Sequence, residues 1–96
     1  MDERKINIKR RYNDNGDLIS ENHYEYKKGQ EIAISKYIYT YTNKNLVSVE
    51  YYRIKGDAEF LVWKYKYLYD RWNRTKSESK YFYEKGREFL AWKFEY

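Results

Sequence analysis

An all-β fold, a single antiparallel up-and-down meander of about seven strands, follows from three observations on the 96-residue chain. Aromatic residues recur at every second position, as in Tyr37, Tyr39, Tyr41 and Trp63, Tyr65, Tyr67, and a period of two belongs to a strand with two distinct faces. Short polar breaks containing Gly or Asn separate these stretches, and both residues accept the positive φ of tight hairpin turns. No segment offers comparable support for a helical stripe.

The elements fall in order along the chain. The first run holds Ile6, Ile8 and Tyr12 and closes at NDNGD around Gly16; the second, with Leu18, Tyr24 and Tyr26, closes at KKGQE around Gly29. The third carries Tyr37, Tyr39 and Tyr41 and ends at NKN, where Asn45 is expected to take the bend. Val47, Val49 and Tyr51 mark the fourth, which ends at KGDAE around Gly56. The fifth could pass for a helix, but Trp63, Tyr65, Tyr67 and Tyr69 alternate with Lys64 and Lys66, which decides for a strand. DRWNR with Asn73 and EKGRE with Gly86 then bound a sixth run, with Tyr81 and Tyr83, and a seventh, with Leu90, Trp92 and Phe94. Runs joined by such short turns are antiparallel neighbours.

Strict alternation assigns the faces. The aromatic face collects the apolar and aromatic strand residues just named, together with Leu61 and Tyr96. The opposite face takes Lys36, Glu50, Lys64, Lys66, Lys76, Glu78, Lys80, Lys93 and Glu95, with an apolar minority of Ile32, Ile34, Ile38, Phe60, Val62, Leu68, Phe82 and Phe89. No helix is available to cover the aromatic face, so a strongly twisted sheet curled toward a barrel is expected. A second copy or a partner protein would serve the same end.

Length confines residues 1–96 to one domain. There is no cysteine, which excludes disulfides and thiolate metal sites. The opening MDERKINIKRRY lacks the apolar stretch of a leader, and no segment reaches the roughly 20 apolar residues of a membrane helix. A soluble, cytoplasmic protein is the expectation. A net charge of +5 permits an acidic partner without requiring one. Residue types with AT-rich codons make up 46 of the 96 positions, pointing to a low-GC bacterial or phage genome.

The segments RRYNDNGDLIS, YEYKKGQEIAI, YTYTNKNLVSV, YLYDRWNRTKS and YFYEKGREFLA together resemble the YD repeat of bacterial Rhs and teneurin-type proteins. That pattern runs Tyr-x-Tyr-Asp, a Gly or Asn turn, then an apolar strand start; its Asp stands here at Asp70. The resemblance spans nearly the whole chain and implies β-hairpins that wind into a sheet acting as a scaffold, with no catalytic residues in the repeat itself.

Constellations for catalysis are weak. His23 is the only histidine and alternation puts it on the charged face, leaving no histidine-based metal cluster and no choice of triad partners. Glu21 with Glu25, or Glu78 with Glu84, could form an acid and base pair, but lysine neighbours make cross-strand ion pairing the better reading. NDNGD around Gly16 has the acidic flavour of a calcium loop, yet that alignment puts Arg11 at the first ligand position and Asn22 at the bidentate one. No catalytic residue, metal or cofactor is expected.

The leading function is therefore a small non-enzymatic β module that binds another protein, in the manner of an inhibitor or immunity-type protein. Tyr37, Tyr39, Tyr41, Trp63, Tyr65 and Tyr67 are its candidate contact residues, together with Trp72 between Arg71 and Arg74 in the DRWNR turn. A homodimer through an edge strand or the aromatic face is a further expectation. The alternative is nucleic-acid binding through stacked rings, with Lys36, Lys64, Lys66, Lys76, Lys80 and Lys93 tracking phosphates. Interleaved Glu50, Glu78 and Glu95 weaken that field.

Overall fold

The computed structural model describes residues 5–96; Met1 to Arg4, part of the charged opening, lie outside them. Seven strands follow one another: β1 (Ile6–Tyr12), β2 (Leu18–Lys27), β3 (Gln30–Thr42), β4 (Asn45–Lys55), β5 (Ala58–Tyr69), β6 (Thr75–Glu84) and β7 (Arg87–Glu95). They form one sheet in the order β1-β2-β3-β4-β5-β6-β7, and every adjacent pair is antiparallel. This is the up-and-down meander that the turn spacing predicts.

The expected curl toward a barrel is not what the sheet does. Among the described residues, every backbone contact between strands joins sequence neighbours, so β1 and β7 remain free edges. The Cα radius of gyration is 16.2 Å, whereas a compact domain of this length has about 12–13 Å. Among the described residues there is no second layer and so no dry core. Val49 is the one buried apolar residue among those described, accompanied by Glu25, Ser35, Ser77 and Ser79.

Two hairpins share one turn. In YKKGQE and YEKGRE the central pairs Lys28-Gly29 and Lys85-Gly86 all have positive φ, the conformation whose twist matches the flanking strands. The Tyr hydroxyl before each turn donates to the Glu carboxylate after it: Tyr26 to Glu31 at 3.1 Å and Tyr83 to Glu88 at 2.8 Å. The β3–β4 turn is built from Asn43 and Lys44, at φ 50° and 66°. Asn45, expected to take that bend, instead opens β4, and its side-chain amide donates to Asn73 in the neighbouring loop.

The two long loops are also copies of each other. Asn13 and Asp70 each use a side-chain oxygen to accept two backbone N–H groups, from Asn15 and Asp17 in one loop and from Trp72 and Arg74 in the other. Gly16 and Asn73 supply the positive φ at the fourth loop position. NDNGD is thus a hairpin loop whose Asn13 is turned inward onto its own backbone. Two tyrosines clasp the strands beside these loops: the Tyr41 hydroxyl donates to the Leu18 carbonyl at 2.9 Å, and the Tyr69 hydroxyl to the Leu46 carbonyl at 2.7 Å.

Each of the six strand pairs contains one register slip, leaving Ile19, Ile34, Val47, Val62, Lys76 and Ala91 as the extra residues. A bulge adds one residue to one strand and so exchanges the faces beyond it. The face assignment from uninterrupted alternation is corrected accordingly. Glu21 and His23 pair with Tyr37 and Ser35 and so share the aromatic face. Glu78, Lys80 and Phe82 join it opposite Tyr67, Tyr65 and Trp63. Tyr24, Tyr26, Tyr81, Tyr83, Leu61 and Leu90 belong to the charged face instead.

Candidate functional site: the aromatic face

With the bulges in place, cross-strand partners line up in rows. One row crosses all seven strands as Arg10, Glu21, Tyr37, Tyr51, Trp63, Phe82 and Phe89. The next runs Tyr39, Val49, Tyr65, Lys80 and Trp92, and a third Tyr67, Glu78 and Phe94. Directly opposed side chains are the unit of sheet stabilisation, so the rows bring rings into contact.

Tyr37 meets Tyr51 at 4.9 Å between centroids, Tyr51 meets Trp63 at 5.3 Å, Trp63 meets Tyr65 at 4.9 Å and Tyr65 meets Trp92 at 5.9 Å. His23, Tyr39, Tyr67 and Phe94 attach to the same network, giving nine connected rings from β2 to β7. Tilted and edge-on contacts predominate, as the ring quadrupole prefers. Most of these rings are half-buried by their neighbours alone, and Phe94 is exposed. Burial raises the hydroxyl pKa of Tyr37, Tyr39 and Tyr67, each reinforced by a nearby Glu or Tyr.

Five of the six predicted ring contacts, Tyr37, Tyr39, Trp63, Tyr65 and Tyr67, belong to this network. Tyr41 stands at its margin, with its hydroxyl held by Leu18 and its pKa raised by burial and by Asp17. Alternation missed Lys80, whose ammonium lies 5.5 Å from the Trp63 ring and 5.2 Å from that of Tyr65. His23 was likewise misplaced. Its Nε2 lies 2.7 Å from Glu21 Oε1, and Arg10 donates to the other carboxylate oxygen at 3.0 Å. Burial would raise the Glu21 pKa, but the hydrogen bonds from His23 and Arg10 outweigh it and hold the carboxyl below its ordinary value. A signal for the slips was present: Leu18-Ile19, Ala33-Ile34, Leu46-Val47, Leu61-Val62 and Leu90-Ala91 are adjacent apolar pairs early in a strand, where alternation forbids them.

Trp72 is apart from the network. It is 60% exposed at the loop tip, with the guanidinium groups of Arg71 and Arg74 at 4.3 and 4.9 Å from its ring. The predicted lysine track is divided. Lys80 is on the aromatic face, Lys76 is a bulge residue, and Lys36, Lys64, Lys66 and Lys93 share the opposite side. There Lys36 pairs with Glu59, Lys64 lies 3.7 Å from Glu50, Lys93 lies 3.1 Å from Glu95, and Lys66 covers the Tyr81 ring. Glu25 is buried with Lys27 at 3.9 Å, while Glu21 is held by His23 and Arg10. Among the described residues no group of His, Asp and Glu is placed to hold a metal ion, and no helix is long and apolar enough to cross a membrane.

Fold and face together define a single-layer antiparallel meander carrying an open aromatic ladder. Solved structures share the fold. A DUF3836 family protein from Bacteroides vulgatus is 18% identical, with a TM-score of 0.61 over 94% of this chain and 92% of that one. A DUF3836 family protein from Parabacteroides distasonis is 14% identical, with a TM-score of 0.58 over 92% and 88%. A protein of unknown function from Bacteroides fragilis is 15% identical, with a TM-score of 0.50 over 97% and 93%. At these identities the likeness is one of fold. No family model and no curated protein matches the chain.

Proposed function

We propose that this chain is a non-enzymatic binding module, a short array of YD-like hairpins that presents its aromatic ladder to another protein. One observation carries the reading: nine connected rings lie on one side of an open sheet that has no second layer to cover them. Large aromatic side chains on a preformed surface suit protein contacts, because burying them costs little conformational entropy. Within the central rows Arg10 and Lys80 balance Glu21 and Glu78, so the face favours shape and ring contacts over charge. The nucleic-acid alternative is less well supported, since Lys36, Lys64 and Lys93 have acidic partners and Lys80 faces away from them.

Affinity capture from a lysate of a low-GC bacterium, run in parallel with and without nuclease treatment, tests the proposal, with wild-type protein, a Tyr39→Lys/Tyr67→Lys variant and a Lys64→Glu control as baits. Both tyrosines border the ladder, so their replacement charges the face while leaving Trp63 and Tyr51 in contact. A protein retained by wild type and the control but lost by the tyrosine variant is the expected result. Equal retention by all three baits would sink the aromatic-face reading. Recovery of nucleic acid alone, released steeply by salt, would replace it with the alternative.

A further inference from the structure

The two free edges differ in what they offer. β1 carries Lys9, Arg10 and Arg11 in succession, and charged residues on an edge discourage pairing with another strand. β7 reads Arg-Glu-Phe-Leu-Ala-Trp-Lys-Phe-Glu, and eight of its nine residues are exposed. Phe89, Leu90 and Phe94 are 40%, 56% and 56% accessible. The charges of β7 are mixed in sign, Arg87 and Lys93 against Glu88 and Glu95, so unlike the all-cationic run of β1 they can be matched by an antiparallel copy, and such an exposed edge is a template for another strand.

The bulge at Ala91 decides which strand fits. Phe89 opposes Phe82 and Trp92 opposes Lys80, so both lie on the aromatic face; Glu88 opposes Tyr83 and Lys93 opposes Ser79, so both lie on the other. In an uninterrupted strand Phe89 and Trp92 would point to opposite sides. From this geometry we propose that β7 pairs antiparallel with β7 of a second copy, about a two-fold axis passing between Leu90 and Ala91.

That axis sets Phe89 opposite Trp92 of the second copy on the aromatic face, and Glu88 opposite Lys93 of the second copy on the other, each contact occurring twice. Arg87 then faces the Phe94 ring. Faces, charges and rings all match in this one register. Centring the axis on Ala91 opposes Arg87 to Glu95, which lie on different faces. Centring it between Ala91 and Trp92 sets Glu88 against Glu95, and like charges directly opposed are destabilising. A β1–β1 pairing would oppose its own cations in the same way.

Closure favours the same solution. With seven alternating strands, β1 and β7 run parallel, so joining β7 of one copy to β1 of the next is a head-to-tail contact that need not close, whereas the β7–β7 contact is isologous and ends at a dimer. The result is a continuous fourteen-stranded sheet, twice the seven strands of one chain, in which the ring network of one copy meets that of the other through Phe89 and Trp92. This inference does not depend on the aromatic face having a protein ligand.

Sedimentation equilibrium over a concentration series tests it. One strand pairing is smaller than a standard interface, so a dimer that dissociates on dilution is expected. Glu88→Lys and Lys93→Glu each turn two attractions into two repulsions and should weaken dimerisation about tenfold; combining them restores the charge match and should recover the wild-type constant. The chain has no cysteine, and positions 88 and 93 are too far apart along one strand to bridge within a chain. A Glu88→Cys/Lys93→Cys variant should therefore oxidise to a covalent dimer, while Asn7→Cys/Arg11→Cys on β1 should not. A wild-type protein that stays monomeric at every concentration overturns the proposal. So does a charge-swapped double variant no better than the single ones, or equal cross-linking from β1.

Discussion

Replacing Trp63 by alanine removes a ring from the centre of the ladder. Trp63 contacts Tyr65, Tyr51 and Tyr37 at 4.9, 5.3 and 5.9 Å, and Lys80 at 5.5 Å. Taking about 0.5 kcal/mol for each, the low end suited to a half-exposed site, these four contacts contribute about 2 kcal/mol. Re-exposing neighbouring apolar surface that the indole now covers adds about 1 kcal/mol. A total of about 3 kcal/mol corresponds to a fall in Tm of roughly 12–24 °C for a domain of this size. Trp72→Ala is the matched comparison, because Trp72 has only two exposed cation–π contacts, worth about 1 kcal/mol or less together. Urea unfolding followed by far-UV circular dichroism compares both variants with wild type without relying on the removed fluorophore. If Trp63→Ala loses no more than Trp72→Ala, the ladder is not what holds the sheet together.

Further consequences concern the loops and clasps. Tyr41→Phe and Tyr69→Phe each delete one hydrogen bond to a strand carbonyl, and each should cost about 1 kcal/mol in chemical denaturation; because Tyr41 pairs directly with Leu46, the acceptor of the Tyr69 hydroxyl, the double variant should depart from simple additivity. The Asp70 carboxyl is held below its ordinary value of 3.8, first by the backbone N–H of Arg74 and also by that of Trp72. Its contribution is therefore complete above the unfolded pKa and fades as pH falls through the lower folded one. Asp70→Asn, which places in this loop the amide that Asn13 already supplies in the other, should keep the fold near neutral pH and remove this part of the acid sensitivity. Acid titrations of the two proteins by circular dichroism would then diverge below the unfolded pKa. Gly86→Ala meets open space but keeps φ at 78°, so its cost of about 1–2 kcal/mol is conformational, and a thermal melt should show it.

Strand positions were legible because spacing and turn chemistry act locally. Positive φ falls in each of the six breaks read from Gly and Asn, and the alternation of Trp63, Tyr65 and Tyr67 correctly displaced a helix. The faces were less legible, because a single extra residue inverts everything after it. Ile34 and Val62 look like ordinary strand residues, yet they turn His23 toward Tyr37 and move Leu61 to the side of Tyr52. Tyr81 and Tyr83 were misplaced because alternation carried through the β6 bulge at Lys76, which no apolar pair announces. The open sheet was illegible for another reason: curvature is set by how register and twist accumulate across all strands, and no local pattern encodes that sum.

A sheet whose backbone contacts join only sequence neighbours, with a few side chains such as Tyr37 and Trp63 reaching across one strand, approaches a one-dimensional array, with stability largely a sum of hairpin terms and nearest-neighbour interfaces. β1 and β7 each have one neighbour and are almost wholly exposed, whereas Val49 on β4, the buried apolar residue, sits in a row between Tyr39 and Tyr65. Protection from amide exchange should therefore peak on β4 and β5 and decline toward both edges, so that the edges open before the whole sheet does. The decline becomes asymmetric if β7 pairs with a second copy: raising protein concentration should slow exchange on β7 and leave β1 unchanged. Exchange at one uniform free energy across all seven strands would contradict the array, and a concentration effect shared equally by β1 would show that the edges are not chemically distinct.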